Sequence, residues 1–279
     1  MIQNNPLKQY FRQPAIYIKL PSGGQFYPEG TLDMPPNGEL PVYPMTAIDE
    51  ITYRTPDALF NGSATVNVIQ SCVPNIKDPW AVPSMDIDTI LVSIRIASYG
   101  HSMDVSSRCP SCKEDDEFSV DLRTAIDVMT AGDYQQSITF RDLEIYFRPM
   151  TYKNMNDNNQ RQFDEQRALQ TIASTDATDQ EKIGILTDAM QKIQKATIEA
   201  LAQGIAVIKT PNSLVTESQF IVDFLHNCDR VLFNQIRDRI INEKVKSELQ
   251  PVKLKCHHCT HEYTQNLTLD MASFFAPAS

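Results

Sequence analysis

Apolar positions recur along this chain at two different periods. From Met85 to Tyr99, Ile87, Ile90, Leu91, Ile94 and Ala97 return every three or four residues, the period of a helix with a buried face. This spacing predicts a central helix for an N-terminal core, with Ser84 as its cap. Thr46, followed by Asp49 and Glu50, predicts another helix start, and Ser63 is read as the cap of a third running to Cys72. Beyond Gly100 the period falls towards two. Met103 to Arg108 and Glu117 to Leu122 read as strands entering and leaving a turn. Val252 to Lys255 and Glu262 to Leu269 repeat the design. Near the start, Ala15 to Leu20 is strand-like, and Pro21-Ser22-Gly23-Gly24 predicts a hairpin returning through Gln25 to Pro28. Pro28, Pro35, Pro36, Pro41 and Pro44 then predict an irregular excursion.

Between the two matched turns lies a long insertion. Ile138 to Arg148 reads as a hairpin stopped by Pro149. Residues 151–173 form a polar helical stretch with Phe163, Leu169 and Ile172 as its apolar contacts. Thr178 to Glu181 and Thr216 to Gln219 have the form of capping boxes, in which a hydroxyl and a carboxylate or amide satisfy free backbone donors. The first opens a stripe of Ile183, Leu186, Met190, Ile193, Thr197, Leu201 and Ile205. The second leads to Phe220, Val222, Phe224 and Leu225. Val231, Leu232, Ile236, Ile240 and Ile241 continue to about Ser247, so three or four helices are expected to form a small bundle. The fold class is α+β: a β-hairpin-rich base, N-terminal helices and a helical insertion. Its expected parts are an arm (1–14), an α+β region (15–123), a hairpin with helical insertion (124–250) and a C-terminal segment (251–279).

The matched turns carry the chemistry. Cys109-Pro-Ser-Cys112 and Cys256-His-His-Cys259 each place two thiols two residues apart, so that one tight turn aims both at a single ion. Two such turns make a zinc-ribbon-like Cys₄ site with Zn–S bonds of about 2.3 Å. Iron in the same cage is the metal alternative. The pairing requires residues 109 and 256 to be spatial neighbours. His257, His258 and His261 are read as solvated residues of the second knuckle, and Cys72 and Cys228 as isolated core thiols.

Composition narrows the function. The chain has 279 residues, 42% hydrophobic and 22% charged, as in ordinary globular proteins. No stretch approaches the roughly 18 apolar residues of a membrane span. The N-terminus lacks a signal-peptide pattern, which favours a reducing compartment and metal thiolates over disulfides. Net charge is −10, and Glu114 to Glu117 would repel a phosphate backbone. Protein partners are therefore expected. A zinc-ribbon nucleic-acid-binding factor is the alternative, and a metalloenzyme a more distant one. Four thiolates leave no coordination position for an activated water, and the five histidines support no nucleophilic triad. The acidic run 114–117 lacks the spacing of a calcium loop and reads as a solvated hairpin tip.

Short phrases in the first 125 residues carry a resemblance. Leu20-Pro21-Ser22 precedes the helix of acids and aliphatics. Ile69-Gln70-Ser71-Cys72-Val73 ends a short helix, and Val82-Pro83-Ser84-Met85-Asp86-Ile87 opens the long one, in which Leu91, Arg95, Ser98 and Gly100 follow in order. In this order and spacing the chain resembles the baseplate hub and hub-assembly proteins of T4-type tailed phages. The resemblance implies a viral protein that forms, or helps to assemble, a contractile-tail baseplate, and with a filled Cys₄ sphere and no catalytic constellation the protein is expected to be non-enzymatic. Its partners would be other tail and baseplate proteins. It would be found in the host cytoplasm during assembly or in the virion tail.

Overall fold

The computed structural model describes residues 5–53, 61–173 and 179–266, apart from the side chains of 168–173, 179–183 and 185. The chain divides into two compact units. One comprises Met1–Thr130 with Glu248–Ser279, the other Ala131–Ser247.

In the first unit, strand β1 (Ile16–Ile18) pairs antiparallel with β2 (Leu40–Val42). This corrects the expected hairpin. Ser22 to Gln25 do form a turn, but the partner strand comes from the far end of the proline-rich excursion, and Pro41 sits within a two-stranded edge where its missing N–H costs no ladder bond. Helices α1 (Ala47–Tyr53), α2 (Ser63–Cys72) and α3 (Ser84–Tyr99) follow. Thr46 caps α1 as expected: its hydroxyl accepts from the Asp49 N–H, and the Asp49 carboxylate accepts from the Thr46 N–H at 2.7 Å. The other two caps differ from expectation. The Ser63 N–H donates to the Asn61 side chain and Gly62 precedes the helix with φ +75°, while Pro83 precedes α3 and makes no side-chain cap. Helix α3 is central: Ile90, Val92, Ser93 and Ile94 are fully buried, and Met85, Ile87 and Leu91 nearly so. It meets α2, β1 and β2. The N-terminal arm forms a short 3₁₀ turn, and Arg12 fastens the chain behind it to the Pro44 carbonyl, the Ser71 carbonyl and hydroxyl, and Asp49.

Two antiparallel ribbons complete this unit. Strand β3 (Ser102–Arg108) pairs with β4 (Asp115–Asp121), which runs directly into the short helix α4 (Leu122–Asp127). At the other end of the chain β9 (Val252–Lys255) pairs with β10 (Glu262–Gln265). The end of the expected last strand, Leu267 to Leu269, lies outside the described residues.

The second unit contains β5 (Ile138–Phe140), β6 (Leu143–Phe147), α5 (Tyr152–Ala173), α6 (Asp179–Gln203), β7 (Ile205–Lys209), β8 (Leu214–Val215), α7 (Ser218–Asn227) and α8 (Arg230–Ser247). The expected hairpin is present, but it belongs to a four-stranded antiparallel sheet of order β5-β6-β7-β8. Ile205, read as the end of a helical stripe, is the first residue of β7. A helix bundle is therefore not what forms. Ile145, Phe147, Ile205 and Ile208 of the sheet pack with Ile198, Leu201 and Ala202 of α6, Ile221 and Leu225 of α7, and Leu232 and Ile236 of α8.

The stripe along α6 is also divided. Its C-terminal part is buried, whereas Leu186, Met190 and Ile193 are 43%, 60% and 36% exposed, and Phe163 of α5 is 48% exposed. On α7, Ile221 is buried while Phe220 faces out, and the Thr216 box does not close: Glu217 precedes the helix with no side-chain cap bond. The Thr178 box lies outside the described residues. Glu243 is buried on α8, accepts the Asp133 N–H at 2.6 Å and pairs with Arg239 and Lys246. A buried charge with partners on both sides avoids the large cost of an isolated one.

Candidate metal centre

Each knuckle is built on the same backbone scheme. In the first, the Cys109 N–H donates to the Glu114 carbonyl at 2.9 Å and the Lys113 N–H donates back to the Cys109 carbonyl at 3.0 Å. In the second, Cys256 N–H to His261 carbonyl and Thr260 N–H to Cys256 carbonyl repeat both bonds at 3.0 Å. The residue after each second cysteine is left-handed: Lys113 at φ +64° and Thr260 at φ +60°. That conformation costs a side-chain-bearing residue about 1–3 kcal/mol. The paired backbone bonds of each knuckle hold it.

The two turns converge. The sulfurs of Cys109 and Cys259 are 3.6 Å apart, as are those of Cys112 and Cys256, and all four lie within 4.8 Å of one another. Tetrahedral Zn–S bonds of 2.3 Å would place sulfurs about 3.8 Å apart, close to the 3.6 Å of these two pairs and inside the 4.8 Å limit of the set. Cys109 and Cys256 are buried, Cys112 is half-buried and Cys259 exposed. Burial opposes ionisation of Cys109, but the backbone N–H groups of Cys112 and Ser111 and the thiols of Cys112 and Cys259 donate to its sulfur. Its thiol is lowered to about 6. The Glu114 N–H favours the Cys112 thiolate, yet burial and the other three sulfurs push that thiol up to about 12. Thiols bind a metal ion as thiolates, so loading such a cage releases their protons.

The ribbons that carry the knuckles face each other through alternate residues. Phe118 of β4 stacks on the His257 ring at 5.2 Å and meets Tyr263 of β10 edge-on at 6.3 Å. The Tyr263 hydroxyl donates to the Ser107 hydroxyl, which in turn donates to Gln265. Val120 and Ala125 pack with Met103, Val105, Leu249 and Val252. At the mouth of the cage the His257 backbone N–H and ring Nδ1 lie 2.9 Å from the two oxygens of Asp116. The His257 hydrogen bonds hold the Asp116 carboxyl below the usual carboxylate range.

Two readings are corrected here. The run 114–117 is not wholly a solvated tip, because Asp116 turns inward to tie the first knuckle to the second. His257 is not merely solvated, although its ring is no part of the sulfur cluster. The alternation Asp116, Phe118, Val120 was visible in the sequence, but their partners depend on how the ribbons face. The isolated thiols separate as expected in part: Cys72 is buried, with its thiol pushed up to about 12 by burial and then Asp49, whereas Cys228 is half-buried.

Four thiols converging from two hairpin knuckles define the class of site: a closed cage suited to a structural ion in a protein of mixed helix and antiparallel sheet. The family model described as T4 bacteriophage base plate protein matches residues 19–276. The chain belongs to that family, which supports a structural role in the phage base plate alongside other tail proteins. None of the curated proteins or solved structures compared matches it. Among the described residues no helix is long and apolar enough to cross a membrane.

Proposed function

We propose that this protein is a non-enzymatic subunit or assembly factor of the hub region of a contractile phage tail baseplate, with a zinc ion held by Cys109, Cys112, Cys256 and Cys259. The observation that carries the zinc reading is the convergence of the four sulfurs within 4.8 Å from segments nearly 150 residues apart. Zinc suits four soft thiolate donors in a tetrahedral cage. A closed sphere of this kind acts through shape: it joins the two ribbons, and so returns the chain to the first unit after the second unit has been inserted. The hub assignment rests on the Leu20, Ile69 and Val82 phrases within a base plate family chain. Work on such a particle begins in the host cytoplasm, where thiolates stay reduced. The nucleic-acid alternative is not favoured, since Asp104, Asp115 and Glu117 all face outward on the first ribbon.

Two measurements test this reading. Metal analysis of the purified protein is expected to give one zinc per chain. Mass spectrometry of purified virions and of tail-assembly intermediates is expected to find the chain with hub components. A protein without zinc or iron removes the metal reading, and a chain absent from both kinds of particle removes the hub reading.

A further inference from the structure

The two ribbons turn faces of opposite charge to solvent. Along β3 and β4 the inward residues are Met103, Val105, Ser107, Asp116, Phe118 and Val120, so Asp104, Ser106, Arg108, Asp115, Glu117 and Ser119 point out, and all six are exposed. In register, Asp104 lies opposite Ser119, Ser106 opposite Glu117 and Arg108 opposite Asp115. Arg108 is turned to its own hairpin, donating to the Lys113 carbonyl at 2.8 Å and lying 4.0 Å from Asp115. Asp104 and Glu117 have uncharged residues across the ladder, and although the buried Arg95 guanidinium of α3 interacts with Asp104, the outward side chains of this surface are net acidic. Along β9 and β10 the inward set is Val252, Leu254, Tyr263 and Gln265, leaving Lys253, Lys255, Glu262 and Thr264 outside. Lys255 has Glu262 across the ladder, Lys253 has the uncharged Thr264, and the exposed His258 extends the same ribbon. An open groove of 450 Å³ lies over this ribbon beside Lys253 and Lys255. Because the inward faces meet each other, the acidic and basic faces lie on opposite sides of the knuckle module.

We propose that the basic face of β9–β10 docks the acidic face of β3–β4 of a second copy of this chain, so that copies associate head to tail. The acidic face and its complement are both carried by every copy, in a chain whose net charge of −10 otherwise disfavours contact between copies. A contact between two different patches is heterologous, and it generates rings when the rotation closes and filaments when it does not. Exposed ion pairs are screened within about 8 Å at physiological ionic strength. The contact is therefore weak when isolated in solution and is reinforced where neighbours hold copies close together. This inference rests on the reading of the cage as the tie between the ribbons, so metal content is measured in every sample.

Sedimentation of the full-length, metal-loaded protein tests it with two charge-reversed variants, Lys253→Glu/Lys255→Glu and Asp104→Lys/Glu117→Lys. The wild type is expected to self-associate at low ionic strength and to return to monomer in about 0.5 M salt, where the screening length falls to roughly 4 Å. Each variant alone is expected to stay monomeric, because its two faces now carry like charge. An equimolar mixture of the two is expected to associate again, because both kinds of contact are then complementary. A wild type that is monomeric at low salt with its full metal content overturns the proposal. So does a mixture that fails to associate while both variants hold metal. Retention of a monomeric wild type on duplex DNA, lost in Lys253→Glu/Lys255→Glu, would assign the basic face to nucleic acid instead. Loss of metal from the wild type itself would strike the cage reading, a failure distinguishable from the first two.

Discussion

The backbone N–H of Ser22 donates to one oxygen of Asp86 at 2.8 Å while its hydroxyl donates to the other, with no part of Asp86 exposed to solvent. Asp86 stands in the first turn of the central helix, and Ser22 opens the turn after β1. The Tyr27 hydroxyl adds a third donor at 3.0 Å. Two phrases far apart in the sequence, Leu20-Pro21-Ser22 and Pro83-Ser84-Met85-Asp86, therefore meet at one buried carboxylate. Replacing Ser22 by alanine removes one hydrogen-bond donor from a carboxyl group that water cannot reach. A loss of about 1–3 kcal/mol in unfolding free energy is expected, measured by urea denaturation.

The same carboxylate gives a pH signature. Burial, the largest influence, raises the Asp86 pKa, and hydrogen bonds from Ser22 and Tyr27 only partly oppose it. A raised folded pKa means that the native state binds the proton more tightly than the unfolded chain. Its contribution is fully present below the unfolded value of about 3.9 and is lost as pH rises through the folded value. The difference in stability between the wild type and Asp86→Asn is thus expected to shift against the wild type as pH rises from about 4. A difference that is flat with pH would contradict the raised pKa.

Periodicity located the central helix, the hairpin at 138–148 and the end of α8 near Ser247, because one-sided burial imposes its period directly on these segments. It failed where the partner was remote. Nothing local distinguishes Leu40-Pro41-Val42 as the mate of Ile16–Ile18. Ile205 extends the helical stripe numerically, yet the turn at Gly204 ends the helix and sends it into a sheet. The cage was legible from spacing alone, since a C-x-x-C pair is a local device. The Asp116–His257 tie was not, because it exists only once the two knuckles have met.

That tie carries its own expectation. Asp116 receives both donors of His257, and His257 adjoins Cys256. Removing a carboxylate that orients a ligand-bearing segment commonly costs about 10–100-fold in metal affinity. Asp116→Ala is expected to weaken zinc binding by about that factor in competition with a chromophoric chelator. His257→Ala keeps the backbone donor and should cost less, and the double variant should lose little more than Asp116→Ala alone. Full additivity would mean that the two residues act separately.

The division of the α6 stripe separates two kinds of apolar residue that look alike in sequence. Ile145 on β6 is fully buried in the second core, and Ile145→Ala is expected to cost about 2–5 kcal/mol. Met190 is 60% exposed, so Met190→Ser should change stability by no more than about 0.5 kcal/mol. A large loss from Met190→Ser in the isolated protein would show that the stripe is core after all.

Metal removal should act on one unit before the other. Cys109, Cys112, Cys256 and Cys259 all belong to the first unit, while the second has its own core centred on Ile145, Ile205 and Ile236. Structural zinc contributes roughly 10–16 kcal/mol of apparent binding free energy in finger peptides at neutral pH, comparable with the whole stability of a domain. Chelation, or Cys256→Ser, is therefore expected to speed amide exchange in β3, β4, β9 and β10. Protection in β6, β7 and α8 should persist, because their hydrogen bonds and apolar contacts are made within the second unit. Exchange that accelerates equally in both sets of strands would mean that the two units unfold as one. Exchange unchanged by chelation in a zinc-loaded sample would mean that the ribbons hold together through Phe118, Tyr263 and Asp116 without the ion.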